Sequence, residues 1–396
     1  MLFRLMTSVM LLALLATGMA VTSPLVAQAG RQRIRTSDTA MIKAAPADHT
    51  KTFIKTEVMK GDSFGPKPSV AEMNDVVIGS FQVLFQEYIR DRQTKGGVIQ
   101  GVKNGNWQPS TTKTTIYDLT PELMQAITEA AYEQFVEELK AAGFNVIDRS
   151  KLVQTPAYQE LLQRATGESM GVGNVRRDKE NANIFYVVAP EGDFPVFKIT
   201  NPNNPLTMFN DLKNYKGLAN AAVEAEANLV SAFYYLDTEK LTGTGDFGLV
   251  KKGEQDNTFV LSVMPGSNVT FYKTVLDKNP MLNKAATGGN YVRYTVQKNI
   301  ASNQSIGEGR FKGENYGAQV LSGALRVMGA PAPNVNRVRQ YELFVDDTAY
   351  KTAAVDLLTA TNALVKTSVL AVKAPEKLAA PAVVAPPAAD PTEPND

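Results

Sequence analysis

The sequence predicts an α/β or α+β fold: an α/β layer in strand–helix–strand–helix order, then antiparallel hairpins, then a C-terminal helix. Three observations predict it. Residues 76–85, Val-Val-Ile-Gly-Ser-Phe-Gln-Val-Leu-Phe, form a β-branched and aromatic run of the kind that fills a buried strand. Residues 120–142 carry one apolar stripe at helical spacing,. Beyond residue 180, short β-rich runs alternate with turn sequences,.

The elements follow in order. After the first strand comes a polar stretch, 90–115, with Gly96-Gly97 and Asn104-Gly105; Asn-Gly favours a tight hairpin turn. In the helix, Thr120 is placed to N-cap, Pro121 suits the first position, and Glu122 lies at the positive end of the dipole,. Leu123, Ile127, Ala131, Phe135, Leu139 and Ala142 make its stripe, and Gly143 stops it,. Phe144 to Asp148 reads as a short strand, and Thr155-Pro156 opens a helix with Tyr158, Leu161 and Leu162 facing inward. Strands at Ile184–Val188 and Val196–Ile199 flank the turn Pro190-Glu191-Gly192-Asp193,. A small-residue helix at 216–227 precedes the apolar run Leu229–Leu236. Phe259–Met264 and Val269–Val275 surround Pro265-Gly266-Ser267-Asn268 and read as a second hairpin, whose residue Phe271 is expected on an association face. Tyr291–Val296 and Tyr341–Val345 read as strands, and 348–372 as the last helix.

The ends differ from the body. Residues 1–29 combine Arg4, an apolar run from Leu5 to Val21 and the exit Ala27-Gln28-Ala29. That is the pattern of a secretory signal peptide, with cleavage expected after Ala29. Residues 30–68 are polar, with Arg31, Arg33, Arg35, the lone His49 and several Gly and Pro, and are read as a mobile leader. Residues 373–396 are a Pro/Ala-rich tail, read as disordered,. The folded envelope domain is therefore placed at 69–372, with an α/β part at 76–165, a mainly β part at 180–346 and the helix 348–372.

Composition narrows the chemistry. Removing residues 1–29 takes away Arg4 alone and leaves 40 basic against 40 acidic residues. Zero net charge gives no general attraction to nucleic acid. With no cysteine, disulfides, thiolate nucleophiles and Cys-ligated metals are excluded. A Ser-His-Asp triad needs a histidine, and the one histidine sits in the leader. Ser110-Thr111-Thr112-Lys113 matches S-x-x-K, but that chemistry needs the pair one helical turn apart, and the flanking residues favour strand or loop. Gly171-Val172-Gly173 lacks the third glycine of a dinucleotide fingerprint, and Asp178–Asn183 has Asn where a calcium loop needs Gly,; both are read as turns. One tryptophan, Trp107, is thin provision for stacking on sugars. No catalytic, cofactor-binding or metal-binding residue is assigned, and no cofactor is expected.

Residues 76–85, the helix 120–142, Gly143-Phe144-Asn145-Val146-Ile147-Asp148-Arg149-Ser150-Lys151-Leu152 and Tyr158-Gln159-Glu160-Leu161-Leu162 together resemble a known pattern. It is that of the α/β domain of the curli-secretion channel family (CsgG-like), related to TolB N-terminal and LpoB-type periplasmic domains. The resemblance covers 76–165. It implies an envelope-assembly role without enzymatic chemistry and, for the curli type, a ring-shaped outer-membrane pore built from hairpins. The chain departs from that type twice: it has no cysteine to acylate, and 86–119 is a long insertion between the first strand and the first helix. No functional residue is carried over.

The sequence therefore points to a non-enzymatic cell-envelope protein, periplasmic or in the outer membrane. It would act in assembly, secretion or scaffolding through protein partners or as a homo-oligomer, without nucleic acid. The alternative is a carboxylate-based hydrolase of an envelope polymer, which needs two facing carboxylates in a cleft.

Overall fold

The computed structural model describes residues 39–60, 67–93, 110–167, 175–180, 183–193, 195, 212–241, 258–274, 290–302, 304–314 and 337–379. In chain order the elements are α1 (Thr39–Ala44), α2 (Pro46–Phe53), β1 (Ile54–Met59), β2 (Asp75–Gln93), β3 (Ser110–Tyr117), α3 (Pro121–Ala141), β4 (Asn145–Val146), α4 (Arg149–Val153), α5 (Pro156–Gly167), β5 (Val175–Glu180), β6 (Asn183–Val188), α6 (Leu212–Glu224), β7 (Asn228–Leu241), β8 (Thr258–Val263), β9 (Asn268–Tyr272), β10 (Tyr291–Val296), β11 (Ile300–Ala301), β12 (Gly307–Glu314), β13 (Arg337–Val345), α7 (Asp347–Lys373) and α8 (Glu376–Ala379). The fold is α/β. The strands form one 13-stranded mixed sheet whose main path runs β1-β10-β9-β7-β2-β3-β13-β12.

Strand β2 is the spine. It is 19 residues long, pairs in parallel with β7 and β4, and pairs antiparallel with β6 and β3. Its residues Val76, Ile78, Phe81, Val83 and Phe85 face the larger core, while Val77 joins a smaller core with Leu152, Tyr158, Leu161, Leu218 and Leu229. Pleat alternation therefore distributes one strand between two layers. On one side lie α3 and α7; on the other, α4, α5 and α6.

Helix α3 forms as its signals direct. Thr120 Oγ1 accepts from the Leu123 N–H at 3.2 Å. At the other end Gly143 sits at φ +88. The Gly143 N–H reaches Lys140 O at 2.9 Å and the Phe144 N–H reaches Leu139 O at 3.1 Å, the paired bonds of a glycine-stopped helix. All six stripe residues are buried.

Helix α7 is buried along most of its length, from Tyr350 to Leu370. It packs against α1, α2, α3 and β8. Asp346 caps it, accepting from Ala349 N–H at 2.8 Å. By length and hydropathy it could cross a membrane, yet most of its apolar window lies inside the fold.

Several expectations are corrected. The leader 30–68 is ordered over 39–59: Ile42, Phe53 and Ile54 enter the core, and β1 pairs with β10. His49 is on α2, half-buried, 6.4 Å from the Phe53 ring. Residues 376–379 of the expected tail form α8. Within the 86–119 insertion, residues 86–93 continue β2 and 110–117 form its partner β3. The runs around Pro265–Asn268 are not a hairpin, because β8 and β9 lie in tandem along β7. Phe271 is a core residue, fully buried, stacked on Phe144 at 5.2 Å. Asp178 belongs to β5, which pairs with β6 in a hairpin. The division into an α/β part and a β part dissolves in a single sheet. The expected signal peptide at 1–29, Asn104-Gly105, Trp107, Gly171–Gly173, the expected strand at 196–199 and residues 380–396 lie outside the described residues.

Two outcomes test this packing. Phe135 is buried and touches Phe81 at 5.5 Å between ring centroids, so Phe135→Ala is expected to cost about 3–5 kcal/mol in a denaturant titration; a loss under about 1 kcal/mol would place the stripe in solvent. Under limited native-state proteolysis, no cleavage is expected between Thr39 and Met59 before the whole domain unfolds. Early cutting there would detach the leader from the fold.

Candidate functional site

The best-built polar assembly grows from the Asp148-Arg149 step. Asp148 caps α4, its carboxylate accepting from Ser150 N–H at 2.7 Å; hydrogen bonding from the Ser150 side chain, and then from its backbone N–H, holds the carboxyl below its ordinary range. The cap turns the Arg149 side chain back toward β2. There the β2–β7 register slips between Ile78 and Ser80. A bulge leaves backbone groups without ladder partners. Arg149 meets them, donating to Ile78 O at 2.6 Å and to Gly79 O at 3.5 Å. A Cβ at position 79 would come within 2.2 Å of Leu229 Cδ1, so a larger residue there would force that side chain to move.

The guanidinium is also an ion-pair partner. Arg149 Nη2 lies 2.5 Å from Asp193 Oδ1, and Asp193 is almost fully buried. Tyr158 bridges the two: its hydroxyl accepts from Arg149 at 3.1 Å and donates to Asp193 at 3.2 Å. Asp193 is placed by the turn after β6, where Gly192 takes φ +76 and Asp193 N–H returns to Pro190 O at 3.0 Å. Helix α3 holds that turn from the other side, Gln125 donating to Ala189 O at 3.1 Å and Glu129 accepting from Glu191 N–H at 2.5 Å.

The electrostatics fix every charge. Burial opposes the Arg149 charge, but Asp193, Tyr158 and Tyr132 outweigh it and raise the guanidinium above its usual value. Burial first, then Asp193, pushes Tyr158 up. Burial also raises Tyr132, against the pull of Arg149. Neither tyrosine ionises near neutral pH, and arginine does not release its proton. The cluster is therefore a structural clamp. It ties the bulge of β2, the start of α4, α5 and the β6 turn.

A second polar feature crosses the sheet. Glu57, Arg293, Thr270, Ser231 and Ser80 stand opposite one another on β1, β10, β9, β7 and β2. Arg293 Nε donates to Thr270 Oγ1 at 3.0 Å. Ser231 Oγ and Gln82 Nε2 are buried with no hydrogen-bond partner among the described residues.

The motifs weighed in the sequence fall elsewhere. Ser110 and Lys113 lie on strand β3 and not one helical turn apart as the S-x-x-K chemistry requires. Among the described residues, no three of His, Asp and Glu gather where they could hold a metal ion. Sequence reasoning missed the Arg149–Asp193 pair. Its one signal is a charged residue directly after the apolar Phe144–Ile147 run, and nothing in the sequence points to Asp193 as the partner. Comparison with known protein families, with characterised proteins and with solved structures finds no match for this chain.

The clamp is testable by a double-mutant cycle. Arg149→Met or Asp193→Leu alone leaves a buried charge unpaired and is expected to cost about 3–5 kcal/mol. The double variant is expected to cost at least about 1 kcal/mol less than the sum of the two. Additive losses in denaturant titrations would show that the two charges do not act together.

Proposed function

We propose that this chain is a non-enzymatic cell-envelope protein that works by protein association in assembly, secretion or scaffolding. The observation that carries the reading is where the strands end. The end of β2 lies opposite the start of β3, which lies opposite the start of β13, which in turn lies opposite the end of β12. Strand β7 runs parallel to β2 and its end lies opposite the start of β8. The strand ends that flank 94–109, 242–257 and 315–336 thus all lie at the end of the sheet toward which β2 runs. Each of these connections is far longer than the roughly 2–5 residues a hairpin needs. Long connections gathered at one end of a rigid scaffold are where binding surfaces are commonly built.

The sequence supports the same compartment. The charge, apolar core and small-residue exit of residues 1–29 direct a chain across a membrane. The resemblance of 76–165 to the CsgG-like, TolB N-terminal and LpoB-type domains points to envelope assembly. The clamp adds a physical reason: it spends the most deeply buried acid and base on holding the scaffold.

The experiment is to replace 94–109 and 315–336 with short Gly-containing turns. Circular dichroism and thermal melting are expected to stay near those of the parent, while the complex recovered from cross-linked cell envelopes is lost. A folded variant that keeps its complex would remove these connections from the function. A turnover on an envelope polymer, abolished by one Asp or Glu substitution, would establish the hydrolase alternative instead. N-terminal sequencing of the exported protein is expected to begin at Gly30.

A further inference from the structure

We infer that the edge strand β1 pairs antiparallel with β1 of a second copy across a twofold axis, in one register centred on Thr56. This surface differs from the one just proposed, and the two stand or fall separately.

Strand β1 ends the main path of the sheet and, among the described residues, pairs with β10 alone. Its hydrogen bonding is legible from one contact: Gln297 N–H donates to Phe53 O at 2.8 Å. In an antiparallel ladder alternate residues bond the same neighbour. Lys55, Glu57 and Met59 therefore face β10, and the backbone groups of Ile54, Thr56 and Val58 point out of the sheet. The Ile54 N–H is already used, closing α2 on Thr50 O. The free groups are the Ile54 carbonyl and both groups of Thr56 and Val58. The strand is open to solvent: Val58 is 48% and Met59 50% exposed.

Charged residues on an edge ordinarily deter pairing. Here their order makes the edge self-complementary. A twofold axis normal to the sheet keeps each side chain on its own face, so residues must meet others of the same parity. With Thr56 opposite its mate, Lys55 meets Glu57 of the second copy and Glu57 meets Lys55. Ile54 meets Val58, and Phe53 lies opposite Met59. Sliding by one step each way puts Lys55 opposite Lys55, or Glu57 opposite Glu57, and like charges directly opposite are unfavourable. Only the central register pairs every charge with its opposite. The same register matches the free backbone groups. Thr56 exchanges both its bonds with its mate, and each Val58 N–H reaches the Ile54 carbonyl of the other copy.

The test is sedimentation velocity of the purified full chain across the micromolar range. The parent is expected to be a dimer. Thr56→Pro removes an N–H that points away from β10, so the fold is expected to persist by circular dichroism while the dimer is lost. Lys55→Glu and Glu57→Lys are each expected to raise the dimer Kd at least about tenfold. Mixing those two variants restores opposite charges at every position and is expected to return a heterodimer. A parent that stays monomeric, a folded Thr56→Pro chain that stays dimeric, or a mixture that fails to associate overturns the proposal. If Thr56→Pro does not fold, the charge-reversal pair decides alone.

Discussion

Helix α7 must be buried on nearly every side, and the rest of the structure is arranged to accept it. Its sequence leaves no wide polar face. Ala353, Ala354, Ala360 and Ala363 let neighbours approach closely, and Leu357, Leu358, Leu364 and Val365 fill the space between. Buried hydroxyls would oppose this, but Thr361, Thr367 and Ser368 each donate to the carbonyl one turn back, at 2.8, 2.8 and 3.0 Å, so their desolvation is offset locally. Two charges along its length are paired, Asp356 with Lys43 of α1 at 3.0 Å and Lys366 with Glu138 of α3 at 2.5 Å. Asn362 is hydrogen-bonded to Tyr234 of β7 deep in the core, which fixes the rotation of the helix against the sheet. Such a helix cannot be covered by the sheet alone. That is why α1 and α2 are recruited from a stretch whose own composition is polar.

The second constraint is the length of β2. A strand of 19 residues accumulates twist, and it must serve β7 along its first half and β3 along its second. The slip at Gly79 lets the strand change its alignment without losing the ladder on either side of the break. The uncovered carbonyls there need a donor, and a buried donor with a charge needs a counterion. Arg149, Asp193 and Tyr158 follow from that chain of requirements. The D-R step after the Phe144–Ile147 run thus has a structural explanation independent of any ligand.

Much of this was legible where the signal was local. The capped and glycine-stopped α3, the strand Tyr291–Val296 and the last helix are all written within their own residues. The leader was not legible, because its burial depends on partners far along the chain. Phe53 and Ile54 are single apolar residues among polar ones until β10 and α7 arrive. Strands β8 and β9 were recognised as strands but wrongly paired with each other. Strand–turn–strand reads the same whether two strands fold back or follow one another along a third, and only the register on β7 distinguishes them. The clamp fails for the same reason: residue types are visible, but the meeting of α4 with the β6 turn is a property of the topology.

These constraints also decide where the molecule can meet others. One face of the sheet is filled by α3 and α7 and the other, near the start of β2, by α4, α5 and α6. Helix packing thus occupies much of both faces, leaving association to edges and ends. An open edge carries unpaired backbone groups that another strand can satisfy, and the end toward which β2 runs gathers the ends of β2, β7 and β12 with the starts of β3, β8 and β13. The two surfaces differ in physical character. The edge is specific through register, because a slip of one step reverses the sense of its charges. The other surface rests on strand ends that the ladders of β2, β3, β7 and β13 hold in place. A fold that fills its own faces and locks its buried charges in place leaves its edges and strand ends as the surfaces still open to other molecules.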